Sequence, residues 1–267
     1  MFKPSQPKFL YRLVTVTLAL ALFASSVYGV ARVEPSKFLF TLKPGERITE
    51  AIKVTNTQAT VAEYTAVIYD WTLNDEGHLV TSPAGQRADT LAGLIKFNPR
   101  RFKLEPGQSQ YVRFTLTAPK DGDWLERRGI IFFEESRPPE DNAVGSTVVI
   151  QVGATVYLSF TETVNSFRAY GLKIETGEEG PPVLLIDLAN EGQAHISYRV
   201  NYRITKESGG LFEENTSGEQ LILPGSRYVA RFPFTNTPPA GNYKITVNIS
   251  FTGTARTLSK VVPFSIP

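Results

Sequence analysis

Asn98 to Thr117 reads N-P-R-R-F-K-L-E-P-G-Q-S-Q-Y-V-R-F-T-L-T, and a shorter echo of it returns at Leu223 to Thr235. Pro224 and Gly225 answer Pro106 and Gly107, Arg231 and Phe232 answer Arg113 and Phe114, and Phe234 and Thr235 answer Leu116 and Thr117. A Pro-Gly turn feeding an alternating strand is a structural device: proline fixes φ, and glycine supplies the positive φ that a tight turn demands. Its return points to a tandem of two related β units. A second echo agrees: Ile52, Val54 and Asn56 before Gln58 resemble Ile186, Leu188 and Asn190 before Gln193, each a strand running out into a polar turn. Chance similarity between any two β domains is the alternative reading.

The 267 residues exceed the ~100 to 150 of one domain and suit two sandwich-sized units, each able to bury a core. Residues 1–29 read as an export signal. Lys3, Lys8 and Arg12 form its basic start, Leu13 to Phe23 its apolar run, and Val27-Tyr28-Gly29 its small-residue cleavage site. The run is shorter than the ~20 residues of a spanning helix, so a cleaved signal is expected and an uncleaved anchor is the alternative. After cleavage no membrane insertion is expected. Losing three basic and no acidic residues turns the net charge of +2 into −1, 25 basic against 26 acidic, which removes any nucleic-acid footprint. An exported chain without cysteine has no disulfide framework, so apolar cores alone must hold both units.

From Val33 onward, short β-branched and aromatic runs alternate with turn residues, and helical periodicity is nearly absent. Ile196 to Ile204 is the clearest strand, with Ile196, Tyr198, Val200, Tyr202 and Ile204 on one face and polar residues on the other. The expected architecture is all-β: two tandem immunoglobulin-like sandwiches over residues 30–162 and 163–267. Pro239-Ala240-Gly241-Asn242-Tyr243 reads as a turn into a strand with an early tyrosine, similar to a tyrosine corner; a plain core tyrosine is the alternative.

Raw material for catalysis is sparse. His78 and His195 are the only histidines, neither has a partner at ligand spacing, and both are expected on the solvated surface. Glu134 and Glu135 are adjacent, so on a strand they face opposite sides and cannot act as a carboxylate pair. No G-x-S-x-G, phosphate loop or dinucleotide fingerprint occurs. No enzyme activity, cofactor or metal is expected.

The unusual segment is Arg127 to Phe160. An aromatic strand, Gly129 to Ser136, enters a polar loop, Arg137 to Thr147. From it emerges a long strand, Val148 to Phe160, in which Val148, Ile150, Val152, Ala154, Val156 and Leu158 alternate with the other face. At twice the usual ~5 to 6 residues, one end can outrun its own sheet. An unpaired edge with an apolar row is an aggregation hazard, and proteins that keep one can use it to receive another chain by β-augmentation. An ordinary closing strand, its row enclosed in its own core, is the alternative.

Residues 99 to 158 resemble the N-terminal domain of PapD-like periplasmic pilus chaperones. The resemblance is carried by Phe102-Lys103-Leu104-Glu105-Pro106-Gly107-Gln108, by Val112-Arg113, by the aromatic strand, by the loop bearing Pro138-Pro139, and by the alternating strand. It extends more weakly over Val33 to Asn56 and Leu188-Ala189-Asn190. It implies that the long strand is lent to a pilus subunit lacking a strand, through Val148, Ile150, Val152 and Ala154, until an outer-membrane usher takes over. Burying each large side chain would contribute roughly 1.5 to 3 kcal/mol.

The sequence departs from that family in three places. Where the family anchors the subunit's C-terminal carboxylate with Arg and Lys, the matched positions are Leu39 or Phe40 and Thr155; Lys37 is the nearby candidate anchor. The family's inter-domain Arg falls near Ser159, and the run before the aromatic strand is replaced by Leu125-Glu126-Arg127-Arg128-Gly129. The reading is a divergent periplasmic chaperone whose partners are pilus or fimbrial subunits and an usher. An exported adhesion or scaffold module of the cell surface is the alternative.

Overall fold

A computed structural model describes residues 31–74, 76–122, 125–135, 149–161, 163–177, 180–252 and 255–267. The export signal, the loop at 137–147 and Val148 lie outside the described residues. Within them the chain is all-β, with two tandem sandwiches and no helix.

The first sandwich uses β1 (Ala31–Glu34), β2 (Lys37–Leu42), β3 (Arg47–Asn56), β4 (Ala62–Leu73), β5 (Leu79–Pro83), β6 (Ile95–Asn98), β7 (Arg101–Leu104), β8 (Ser109–Thr117), β9 (Arg127–Glu135) and β10 (Ile150–Phe160). One sheet has the order β1-β3-β8-β6; the facing one runs β2-β10-β9-β4-β5, with β7 also on β4. Between them lie Ile52, Val54, Phe114, Leu116, Ile131, Phe133 and Leu158, contributed alternately by the strands of both sheets. At Pro35 and Ser36 the chain crosses from one sheet to the other, so β1 bonds to β3 while β2 runs parallel to β10.

The second sandwich uses β11 (Phe167–Glu175), β12 (Val183–Asn190), β13 (Ile196–Lys206), β14 (Leu211–Thr216), β15 (Gln220–Ile222), β16 (Arg227–Pro233), β17 (Gly241–Phe251) and β18 (Thr257–Ile266). Its sheets are β11-β12-β16 and β14-β13-β17-β18, with β15 on β13. The alternation in β13 is seated as the sequence implies: Tyr198, Val200, Tyr202 and Ile204 are buried, and a register slip would bring polar residues inward. The tyrosine corner forms as well, the Tyr243 hydroxyl donating to the Pro239 carbonyl at 2.8 Å.

The two echoes meet in one hydrogen-bonding device, built once in each sandwich. Buried Asn56 donates from Nδ2 to the carbonyls of Thr60 and Leu104 and accepts from the Gln58 N–H. Buried Asn190 does the same with the carbonyls of Ala194 and Ile222 and the Gly192 N–H. The backbones match too: Gly107 and Gly225 donate to the carbonyls of Asn56 and Asn190, and the N–H groups of those asparagines reach Gln108 and Ser226. Each Pro-Gly turn is thus tied to the end of a strand far away in sequence. The glycines need their freedom here, with φ of 74° at Gly107 and 69° at Gly225.

Candidate functional site: a bare strand edge and the inter-domain cleft

β10 is paired unequally on its two sides. It is bonded to antiparallel β9 from Ile150 opposite Glu135 to Leu158 opposite Arg127. On the other side β2 reaches only Thr155 to Phe160, its first contact being the Thr155 N–H on the Ser36 carbonyl. Among the described residues, Ile150 to Ala154 therefore presents a free backbone edge on that side, where β1 is bonded to β3 instead.

The chemistry of this edge sets it apart. Among the described residues, the free edges of β1, β2, β6, β7, β11, β14, β16 and β18 all carry Lys, Arg or Glu, β5 ends on Pro83, and β15 has three residues. Charge and proline are the usual protection against stray pairing. Ile150-Gln151-Val152-Gly153-Ala154 has neither.

The apolar row grades along the strand. Ile150 and Val152 are half-buried at the open mouth between the sheets, whereas Ala154 is 1% exposed and Val156 and Leu158 are fully enclosed. Ala154 thus departs from the sequence expectation: its methyl belongs to the domain's own core, and what it can offer a partner is backbone. On the opposite face Gln151 donates to Glu134, which also accepts the Tyr69 hydroxyl at 3.0 Å. Glu135, on the inner side, accepts from Gln58.

Where the free edge ends, a cleft of about 220 Å³ opens between the sandwiches, lined by Lys37, Leu39, Phe167, His195, Phe251 and Arg256 among others. Lys37 begins β2 opposite Thr155. Its ammonium is 3.9 Å from Glu219 of the second sandwich and 5.5 Å from the centroid of the Tyr157 ring. Leu39 is 60% exposed, unusual for a leucine in a strand. The cleft therefore combines a cationic rim with apolar walls, which suits a carboxylate-bearing chain end.

The joint beneath the cleft was not legible in the residues. His195, expected on the surface, has a side chain only 11% exposed; its Nδ1 is 2.5 Å from Oε2 of the fully buried Glu126. Ser159 donates to that same Glu126 oxygen at 3.1 Å, and the Glu126 N–H donates to the Gln193 carbonyl. The His195 ring packs on Tyr157 with centroids 4.2 Å apart, and Tyr157 packs edge-on against Trp71. Leu223, beside the second Pro-Gly turn, completes an apolar cluster with Trp71, Ile130 and Tyr157. Burial, helped by the Glu126 charge, pushes the Tyr157 hydroxyl up to about 12. Burial also lowers Arg128, which stands over the Trp71 ring, while its ion pair with Asp89 at 2.7 Å opposes that shift. His78, by contrast, is exposed as expected, 3.2 Å from Glu76.

No protein-family model and no curated protein matches the chain. Several solved structures are similar to it along most of its length. The class 5 fimbriae chaperone CfaA shares 15% identity, covering 89% of this chain and 99% of its own, with a TM-score of 0.46. The YadV chaperone shares 8%, covering 88% and 100%, at 0.48. The SafB chaperone of Salmonella enterica, solved with the SafA pilin, shares 13%, covering 90% and 99%, at 0.44. All three are chaperones, matched at low sequence identity.

Proposed function

We propose that this chain is an exported, non-enzymatic chaperone that acts in the periplasm on subunits of a pilus or fimbria. It binds a strand-incomplete subunit along Ile150 to Ala154, presents Ile150 and Val152 to the subunit's open core, and releases it to an outer-membrane usher. The observation that carries this reading is the unprotected half-edge of β10 running into a cationic cleft. A strand added to that edge meets β2 at Ser36, so its chain must stop or turn there, beside Lys37. A terminal carboxylate placed at Lys37 replaces the long, solvent-screened contact with Glu219.

Val148 belongs to the same row by sequence and extends it into the segment outside the described residues. The test is co-expression with strand-incomplete fibre subunits of the same organism, followed by pull-down. Changing Ile150 and Val152 to lysine places charge on the bare edge and should abolish capture, while thermal unfolding stays within a few degrees because both residues are half-exposed. Capture that survives the double change with the fold intact would rule out strand donation. Stable attachment to the cell surface, rather than release in a soluble envelope extract, would support the scaffold instead.

A further inference from the structure

Among the described residues, the face of the first sandwich turned away from its core, on sheet β1-β3-β8-β6, carries more cations than anions. Register places its outward side chains in rows. Arg32 lies beside Thr55 and Ser109, Glu34 beside Lys53 and Tyr111, and Arg113 between Ala51 and Asn98; Thr115 lies between Thr49 and Lys96, and Arg47 beside Thr117. Five cations share this face with one anion, Glu34, which is paired with Arg32 at 3.2 Å. Arg47, Lys53, Lys96 and Arg113 make no ion pair among the described residues, whereas arginines on the second sandwich, such as Arg203, Arg227 and Arg231, each hold a carboxylate.

The four cations are spread, not clustered. Alternate residues of a strand lie about 7 Å apart and neighbouring strands about 4.8 Å, so they cover an area three strands wide. The spaces between them hold hydroxyls, paired as Thr49 with Thr115 and Thr55 with Ser109. Tyr111 stands at the centre, 62% exposed, opposite Lys53. Lys96, on β6, borders a cleft with Tyr69 and Arg100, whereas Arg47, Lys53, Tyr111 and Arg113 stand away from it and from the inter-domain cleft. A face whose cations are spread over β3, β8 and β6 does not converge on one small anion. It matches a partner that is itself flat and anionic, and an amphipathic tyrosine amid lysine and arginine is suited to the headgroup layer of a bilayer.

We propose that this face is a peripheral docking surface for anionic phospholipid membranes. The exported chain carries a net charge of about −1 if residues 1–29 are removed, so its attraction to such a membrane depends on orientation, and this face turns inward. The facing sheet, which contains β10, then points away from the bilayer and leaves the bare edge open to arriving chains. The docking surface does not depend on strand donation.

The experiment is vesicle co-sedimentation of protein purified from the soluble envelope fraction, using phosphatidylglycerol mixed with phosphatidylcholine against phosphatidylcholine alone. Binding is expected to the mixed vesicles at low ionic strength, with release as salt rises. Lys53→Glu with Arg113→Glu should lower that binding roughly tenfold or more at unchanged thermal stability. Should that pair fail to fold, Arg47→Glu with Lys96→Glu, on β3 and β6, tests the same face and is expected to give the same loss. Equal binding to both vesicle types, no binding to either, or binding that a folded charge-reversed variant retains would each overturn the proposal. Displacement by inorganic phosphate at constant ionic strength would assign the face to a soluble anion and overturn it too.

Discussion

Glu213 is a buried acid that the second sandwich keeps ionised. Burial works to raise its pKa, but donors from the Thr235 N–H, the Tyr202 hydroxyl and the Asn236 N–H outweigh that and leave it below its ordinary 4.5. A depressed acid contributes stability that is fully present above its unfolded pKa and is lost as pH falls through the folded value. Glu213→Gln should therefore cost roughly 1 to 3 kcal/mol at neutral pH and flatten the loss of stability below about pH 4.5. Urea unfolding across a pH series measures both. The paired asparagines show how much at this scale was legible. Asn56 and Asn190 stood out as the polar ends of apolar strands, but the sequence did not show that both bind the opposite Pro-Gly hairpins through the same bonds.

β10 owes its character to Gly153 as much as to its apolar row. A Cβ built there would lie 2.6 Å from the Ile131 carbonyl oxygen and 2.6 Å from the Phe132 ring. The ring can tilt away, but the carbonyl is held in the β9 ladder. Gly153→Val should therefore push β10 off β9 and destabilise the first sandwich by roughly 1 to 3 kcal/mol, read as a lower denaturation midpoint. Alternation and length disclosed this strand from sequence. What they could not disclose is where its neighbour stops: the bare stretch exists because β2 begins at Lys37 and pairs from Thr155 onward. For the same reason Ala154 looked identical to Ile150 in sequence and differs from it in the fold.

Across the whole molecule, the two sandwiches are joined by Glu126, His195 and the cluster around Trp71 and Tyr157. Glu126→Ala removes the acceptor of both His195 and Ser159 from a buried joint, at a cost of roughly 1 to 3 kcal/mol. Calorimetry should show one unfolding peak split into two, and Trp71 emission should shift to longer wavelength as water enters. The joint was hidden for a reason that the internal duplication makes plain. Matching Asn190 to Asn56 matches His195 to Val61, which is 53% exposed, so the repeat itself gives this position a surface address. Only the first sandwich covers it in the second copy.

Local rules and the repeated pattern determined a great deal of this protein. Alternation fixes which side chains enter a core, Pro-Gly turns fix where strands reverse, and the absence of cysteine leaves two apolar cores as the source of stability. These are short-range constraints, written in neighbouring residues. The tertiary structure decided the length of uncovered edge on β10, the withdrawal of Ala154, the burial of His195 against Glu126 and the gathering of Lys37, Leu39 and Phe251 around one cleft. Each of these depends on how far a strand or domain distant in sequence extends in space, and a residue's own neighbours do not encode that distance.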